Sequence, residues 1–304
     1  MNTMRVVVTG GSGFIGSTLL EMLSGKDVEV LAVVHRRKIK QDKNVTLLPG
    51  GIAAMTKAVI DDFSPDVIFH CARPTYPQLG RTGRKLAAFR AAGLNKTLLQ
   101  NLRNPNTSPT LFFLSGSLMY GNGQKAFNES SPLNPVSYAR QYYRGEKPVI
   151  AAIEDSTLRI KVVRLPWVLG NGSWFQWFYL DTIRQHRAIP RFGDGSNYME
   201  ITDIRDVTDI LWQMAATPSP SGIINVPASK PRTQAEFLSF LSRMFEVPVV
   251  DYREIFGNRL EREAREAFTS NILLRNTSEQ TIANYHYTPL EETLARLRDK
   301  VTEP

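Results

Sequence analysis

Three glycines at three-residue spacing, Gly10, Gly13 and Gly16, follow a β-branched run at residues 5–9 and open an apolar stripe of helical spacing at 15–23. Strand, glycine turn and helix in that order set a helix N-terminus against a pyrophosphate. The first glycine permits the tight turn, the second lets backbone approach the phosphates, and the third lets the helix pack on the strand. Gly10, Gly13, Phe14, Ile15 and Gly16 are therefore the expected phosphate cradle. The next apolar run, 28–34, continues into His35-Arg36-Arg37-Lys38. A dinucleotide fold that selects NAD keeps an acid at this strand end for the ribose hydroxyls. No acid occurs between Leu31 and Gln41. His35, Arg36 and Arg37 instead suit a 2′-phosphate through charge-assisted, bidentate bonds, so NADP(H) is expected over NAD(H). Arg73 directly follows a further apolar run. It stands at a strand's C-terminal end, where open α/β sheets bind ligands, and is a candidate for the substrate. His70, among apolar neighbours, reads as a core histidine.

Positioning these residues takes strands alternating with helices. Strands are expected at 5–9, 28–34, 45–48, 65–72, 110–114, 160–165 and 222–226, and helices at 15–23, 86–102, 138–153, 234–245 and 289–298. This pattern predicts an α/β fold: a doubly wound parallel sheet of about seven strands, with a smaller C-terminal lobe and the ligand in the cleft. Residues 1–165 with about 205–226 form the expected dinucleotide-binding domain, and 166–204 with 227–304 the substrate lobe. Leu94, Leu98, Leu99 and Leu102 make a helical core stripe. Trp174, Trp177 and Phe178 read as lobe core.

Composition bounds the function. The chain has 304 residues, 42% hydrophobic and 22% charged, as a soluble globular protein does. No apolar run reaches the roughly 18 residues of a membrane span. The first strand starts so early that no cleaved leader is expected. One cysteine, Cys71, allows no internal disulfide and fits a reducing cytoplasm. A net charge of +8 favours acidic ligands, but no nucleic-acid module is present. A metal site is not expected.

The segment Thr9-Gly-Gly-Ser-Gly-Phe-Ile-Gly16 resembles the start of the extended short-chain dehydrogenase/reductases, a Rossmann-fold group that includes the nucleotide-sugar epimerases and dehydratases. Further matches are Pro65-Asp-Val-Ile-Phe-His-Cys-Ala72, Ser115-Gly-Ser-Leu-Met-Tyr-Gly121, Glu129 to Tyr138, and Pro166-Trp-Val-Leu-Gly-Asn-Gly172. Ile189 to Gly195 and Ile201 to Val207 match as well, so the likeness runs nearly end to end. It implies that Ala72 and Pro166 lie near the cofactor and that Ser115 and Trp167 line the substrate site. It also implies a homodimer through helices, for which Leu94, Leu98, Leu102, Tyr143 and Ile150 could form the seam. Three family features are changed. Gly50-Gly51 replaces a Gly-Asp pair whose carboxylate meets the adenine. Met199 stands where nucleotide-sugar enzymes carry an arginine for the substrate's nucleotide. Asn171 replaces a proline.

The resemblance also implies a catalytic trio: a tyrosine that exchanges a proton at the substrate oxygen, a lysine one helical turn on, and a serine that binds the oxygen. Tyr138 matches the tyrosine. The lysine position is Tyr142 and the serine position is Gly116. A free phenol with a pKa of about 10 is ionised in roughly one molecule in a thousand at neutral pH, and Tyr142 brings no charge to change that. Ser117, beside Gly116, could supply the hydroxyl after a small backbone shift, or could bond its own turn. The leading expectation is an NAD(P)-dependent oxidoreductase or epimerase acting at an alcohol or ketone carbon of a sugar-like or other small metabolite, with Tyr138 as acid/base. A cofactor-binding sensor or silent subunit, and a non-redox enzyme reusing the cleft, are the alternatives.

Overall fold

The computed structural model describes residues 3–35, 42–103, 108–217, 219–228 and 230–302. Its centre is a seven-stranded parallel sheet. In spatial order the strands are Gly222–Asn225, β6 (Arg159–Leu165), β5 (Thr110–Gly116), β4 (Val67–His70), β1 (Met4–Thr9), β2 (Val28–Val34) and β3 (Val45–Pro49). Val6, Val7 and Val8 of β1 are wholly buried, as strands covered by helices on both faces must be. The covering helices include α1 (Phe14–Ser24), α2 (Lys57–Phe63), α3 (Gly80–Leu102) and α4 (Ser137–Ala151). The expected elements are present. The longest shift is at α3, which starts six residues before the apolar stripe that announces it.

Strand order reverses at β1, with β2 on one side and β4 on the other. Thr9 pairs with Val33 of β2 and with His70 of β4. This register brings the glycine turn, the end of β2 and the end of β4 to one edge of the sheet, the switch point at which such sheets bind ligands.

The chain forms two compact units. The first is Met1–Ser115, Gln141–Arg164 and Thr208–Ile224; the second is Gly116–Arg140, Leu165–Val207 and Asn225–Pro304. The segment 116–140, expected with the dinucleotide domain, thus clusters with the lobe. Its bonds explain this: Tyr120 Oη donates to Asn225 Oδ1 at 2.7 Å, and Glu129 accepts the N–H groups of Asn225 and Thr277. The first unit's core takes in Leu98, Leu99 and Leu102, each at most 4% exposed, against Val7, Val33 and Phe113. Leu98 and Leu102 are therefore not available to a dimer seam. The second unit's core is an aromatic cluster around Phe268, with Phe192 at 4.3 Å and Phe178 at 4.7 Å between ring centroids. Trp174 joins it, whereas Trp177 is 61% exposed on a single π-helical turn, Gln176–Leu180.

Candidate active site

The glycine turn is built as a cradle. Gly10 has φ +72°, and a Cβ there would lie 2.8 Å from the Cα of Ala72. Backbone from the end of β4 therefore closes directly over the turn. A Cβ on Gly16 would lie 2.2 Å from the carbonyl oxygen of Gly10, so only glycine lets α1 pack this tightly. Gly13 is the N-cap of α1 and makes no side-chain cap, and no acid occupies the first turn. The leading N–H groups at Phe14, Ile15 and Gly16 have no intrahelical acceptor and suit an anion. The cradle fits the pyrophosphate of a dinucleotide.

At the end of β2 the His35 imidazole covers Gly51, where an added Cβ would meet its Cδ2 at 3.3 Å. Gly50 and Gly51 both take positive φ, +113° and +66°. A side chain at either position would be strained, which accounts for the second glycine where the family carries aspartate. Arg36 and Arg37 lie outside the described residues.

His70 is 2% exposed, and burial pushes its pKa down to about 4. It belongs to a buried chain of bonds. Asn95 Nδ2 donates to the carbonyl of Gly145 on α4 at 2.8 Å, and Asn95 Oδ1 accepts from His70 Nε2 at 3.1 Å. Nδ1 then accepts from Thr9 Oγ1 at 2.7 Å, and that oxygen accepts the N–H of Ala72 at 3.4 Å. The neutral imidazole ties α3, α4 and the two strand ends that make the cradle. It is a positioning residue, in keeping with a core histidine.

Ser115, expected at the substrate, is engaged elsewhere. Its hydroxyl accepts from Arg164 Nη1 and donates to Glu146 Oε2, both at 2.5 Å. Arg164 and Glu146 also pair directly, at 0% and 2% side-chain exposure. The hydroxyl completes a buried ion pair that fixes α4 against β5 and β6.

Arg73 lies over Tyr142, its Cζ 4.0 Å from the ring centroid. The sequence allows Arg73 and Tyr142 to serve one cleft with Tyr138, on an anionic or phenolic substrate, but nothing in the spacing of 73 and 142 signals their direct contact. A Tyr-x-x-x-Lys does stand on α4, but at Tyr143 to Lys147. Lys147 is exposed, with Nζ 5.2 Å from the Tyr143 ring, away from the buried Glu146. It is a surface pair.

In the second unit Tyr138 is half-buried in the first turn of α4, one turn before Tyr142 on that helix. Ser117 is 5% exposed and opens the short turn Ser117–Met119 after β5. Gly116 is extended, and a Cβ there would meet nothing closer than the Leu165 carbonyl at 3.9 Å, so the missing serine is not a steric necessity. Pro166 is buried after β6. Trp167, expected at the substrate, stacks on Phe268 at 5.1 Å and meets Trp174 edge-on at 4.8 Å. Met199 is 1% exposed and lines a cavity of about 220 Å³ with Lys230, Arg232, Tyr287 and Glu291. Among the described residues no group of His, Cys, Asp and Glu is arranged to hold a metal, and no helix is long and apolar enough to cross a membrane.

Comparison with known proteins agrees with this geometry. Residues 6–226 match the family model described as the NAD dependent epimerase/dehydratase family. A methionine adenosyltransferase 2 subunit beta of Xenopus tropicalis is 24% identical over 83% of this chain and 75% of its own. A probable dTDP-4,6-dihydroxy-2-methyloxan-3-one 4-ketoreductase of Streptomyces antibioticus is also 24% identical, over 86% and 84%. Among solved structures, the UDP-glucose 4-epimerase of Thermotoga maritima with UDP-glucose superposes with a TM-score of 0.78 at 18% identity, covering 98% of this chain and 100% of that one. A dTDP-glucose 4,6-dehydratase from Streptomyces venezuelae with NAD bound gives 0.75 at 19% identity, over 96% and 95%.

Proposed function

The chain belongs to the NAD-dependent epimerase/dehydratase family, and we propose that it is a nicotinamide-dependent oxidoreductase or epimerase acting at an alcohol or ketone carbon of a sugar-like or other small metabolite. The observation that carries this reading is the cradle. Gly10 and Gly16 leave no room for a side chain, and Ala72 closes over the turn. Gly10, Gly13, Phe14, Ile15, Gly16 and Ala72 would hold the pyrophosphate. His35, Arg36 and Arg37 would hold the adenosine end and favour NADP(H).

A bound nicotinamide supplies the hydride chemistry. Tyr138 gives or takes the proton at the substrate oxygen. Ser117 donates a hydrogen bond to that oxygen and orients it. His70, held neutral, keeps the strand ends and α4 in register. Ser115 keeps the Glu146–Arg164 pair closed beneath α4. The test is a panel of alcohols, ketones and sugar derivatives followed by nicotinamide absorbance, with Tyr138→Phe alongside the natural chain. Turnover that needs Tyr138 supports the reading, and no turnover across the panel counts against it.

A second reading is a cofactor-binding subunit without redox turnover. It is supported by Gly116 and Tyr142 in place of serine and lysine, and by the subunit named among the relatives. It expects tight dinucleotide binding with no turnover.

A further inference from the structure

Arg73 is exposed, yet it has one defined environment, the face of Tyr142. Among the described residues no carboxylate pairs with it. A guanidinium held over an aromatic ring keeps its charge, and its N–H donors form the fork that matches a carboxylate or phosphate. Tyr142 thus immobilises a cation that would otherwise be a loose surface side chain. The place is specific. Arg73 follows Ala72, the residue closed over Gly10, at the ligand-binding edge of the sheet. Its side chain reaches to Tyr142 on α4. The phosphate cradle has its own donors at the start of α1.

We infer that Arg73, held on Tyr142, is the anchor for an anionic group of the substrate, a carboxylate or a phosphate, and so sets specificity for acidic metabolites over neutral ones. This rests on the proposed substrate site but not on turnover. The same chemistry could come from a cofactor phosphate, and the measurement separates the two sources.

Protein saturated with NADPH is titrated with glucose 6-phosphate, with glucuronate and with glucose, following the fluorescence of the bound cofactor. At least one of the two anions is expected to bind tenfold or more tightly than glucose, in line with charge-assisted bonds. Arg73→Gln should abolish that preference, Arg73→Lys should keep part of it, and Tyr142→Phe, which keeps the ring, should keep most of it. NADPH affinity should be the same in all variants. Equal binding of anions and glucose, or an anion preference that survives Arg73→Gln, overturns the assignment. A tenfold loss of NADPH affinity in Arg73→Gln overturns it too, by giving Arg73 to the cofactor. Because binding alone is read, an Arg73-dependent anion preference without turnover would remove the redox reading and leave this one standing.

Discussion

At the scale of single residues, the proposed reaction rests its acid–base step on Tyr138, because Gly116 and Tyr142 stand at the serine and lysine positions of the trio. Tyr138→Phe should lower turnover by about a hundred- to ten-thousand-fold, the usual worth of general acid–base help, with unchanged NADPH affinity by calorimetry. Wild-type turnover in that variant would move the chemistry elsewhere. Cofactor choice is a second residue-scale matter. Arg36→Ala should narrow the gap between NADPH and NADH by about 1.5–3 kcal/mol, the cost of a charge-assisted contact. An NADH preference in the natural chain would refute it. Glu200 gives a pH test. It is 2% exposed, and burial pushes its pKa from 4.5 up to about 7 against the N–H groups of Leu274 and Ala228 that it accepts. The folded state therefore keeps this proton where the unfolded state has lost it. Stability is lost as pH rises through that window. Glu200→Gln does not titrate but can accept only one of the two N–H groups, which go to different oxygens of Glu200, so it should lower stability at every pH while flattening the loss, seen in urea midpoints at about pH 5 and about pH 8.

At the scale of elements, the turn between β1 and α1 is the part with least tolerance. Gly16→Ala puts a methyl 2.2 Å from a backbone oxygen that cannot rotate away. The expected cost is about 1–3 kcal/mol of stability, with loss of most dinucleotide affinity. Gly93→Ala is the contrast, since that helical glycine has nothing within 4 Å. It should stabilise the chain by about 0.4–1 kcal/mol, read as a higher denaturant midpoint. The turn was legible in sequence because its chemistry is local: three glycines between a strand and a helix. The strands and most helices were legible for the same reason, being periodic in apolar residues. What escaped was non-local. Ser115 sits in a motif that points to the substrate, yet its partners come from 31 and 49 residues away. Arg73 and Tyr142 could be grouped at one cleft from the sequence, but their direct contact spans an even longer separation and could not be read. Leu98 and Leu102 fit a core stripe and a dimer seam equally well by spacing, and only packing decides for the core.

At the scale of the molecule, a homodimer through helices, if it forms as the family resemblance implies, would use the outer side of α3 and α4, since Leu98 and Leu102 are in the core. Phe89 and Leu86 are 62% and 46% exposed there, with Arg144 5.2 Å from the Phe89 ring. Lys85, Arg90, Lys96 and Lys147 are exposed on the same two helices, and α3 contains no acid. A homodimer covering Phe89 would bring like charges together. Light scattering should therefore show a dimer that strengthens as salt is raised, because screening relieves the repulsion. Phe89→Ser should return it to monomer, and a monomer at every salt concentration would refute the homodimer. A different consequence follows from the closure of Ala72 over Gly10. The neighbouring Thr9 and His70 that make this edge are 61 residues apart in the chain. The cradle is absent until that long loop has closed, and loop closure is the slow step that local structure does not need. During refolding, dinucleotide binding should lag behind the recovery of helix signal, and it reports the arrival of β4 beside β1. A dinucleotide that recognises only the closed state would then stabilise the folded chain by mass action, so added dinucleotide should raise the denaturant midpoint.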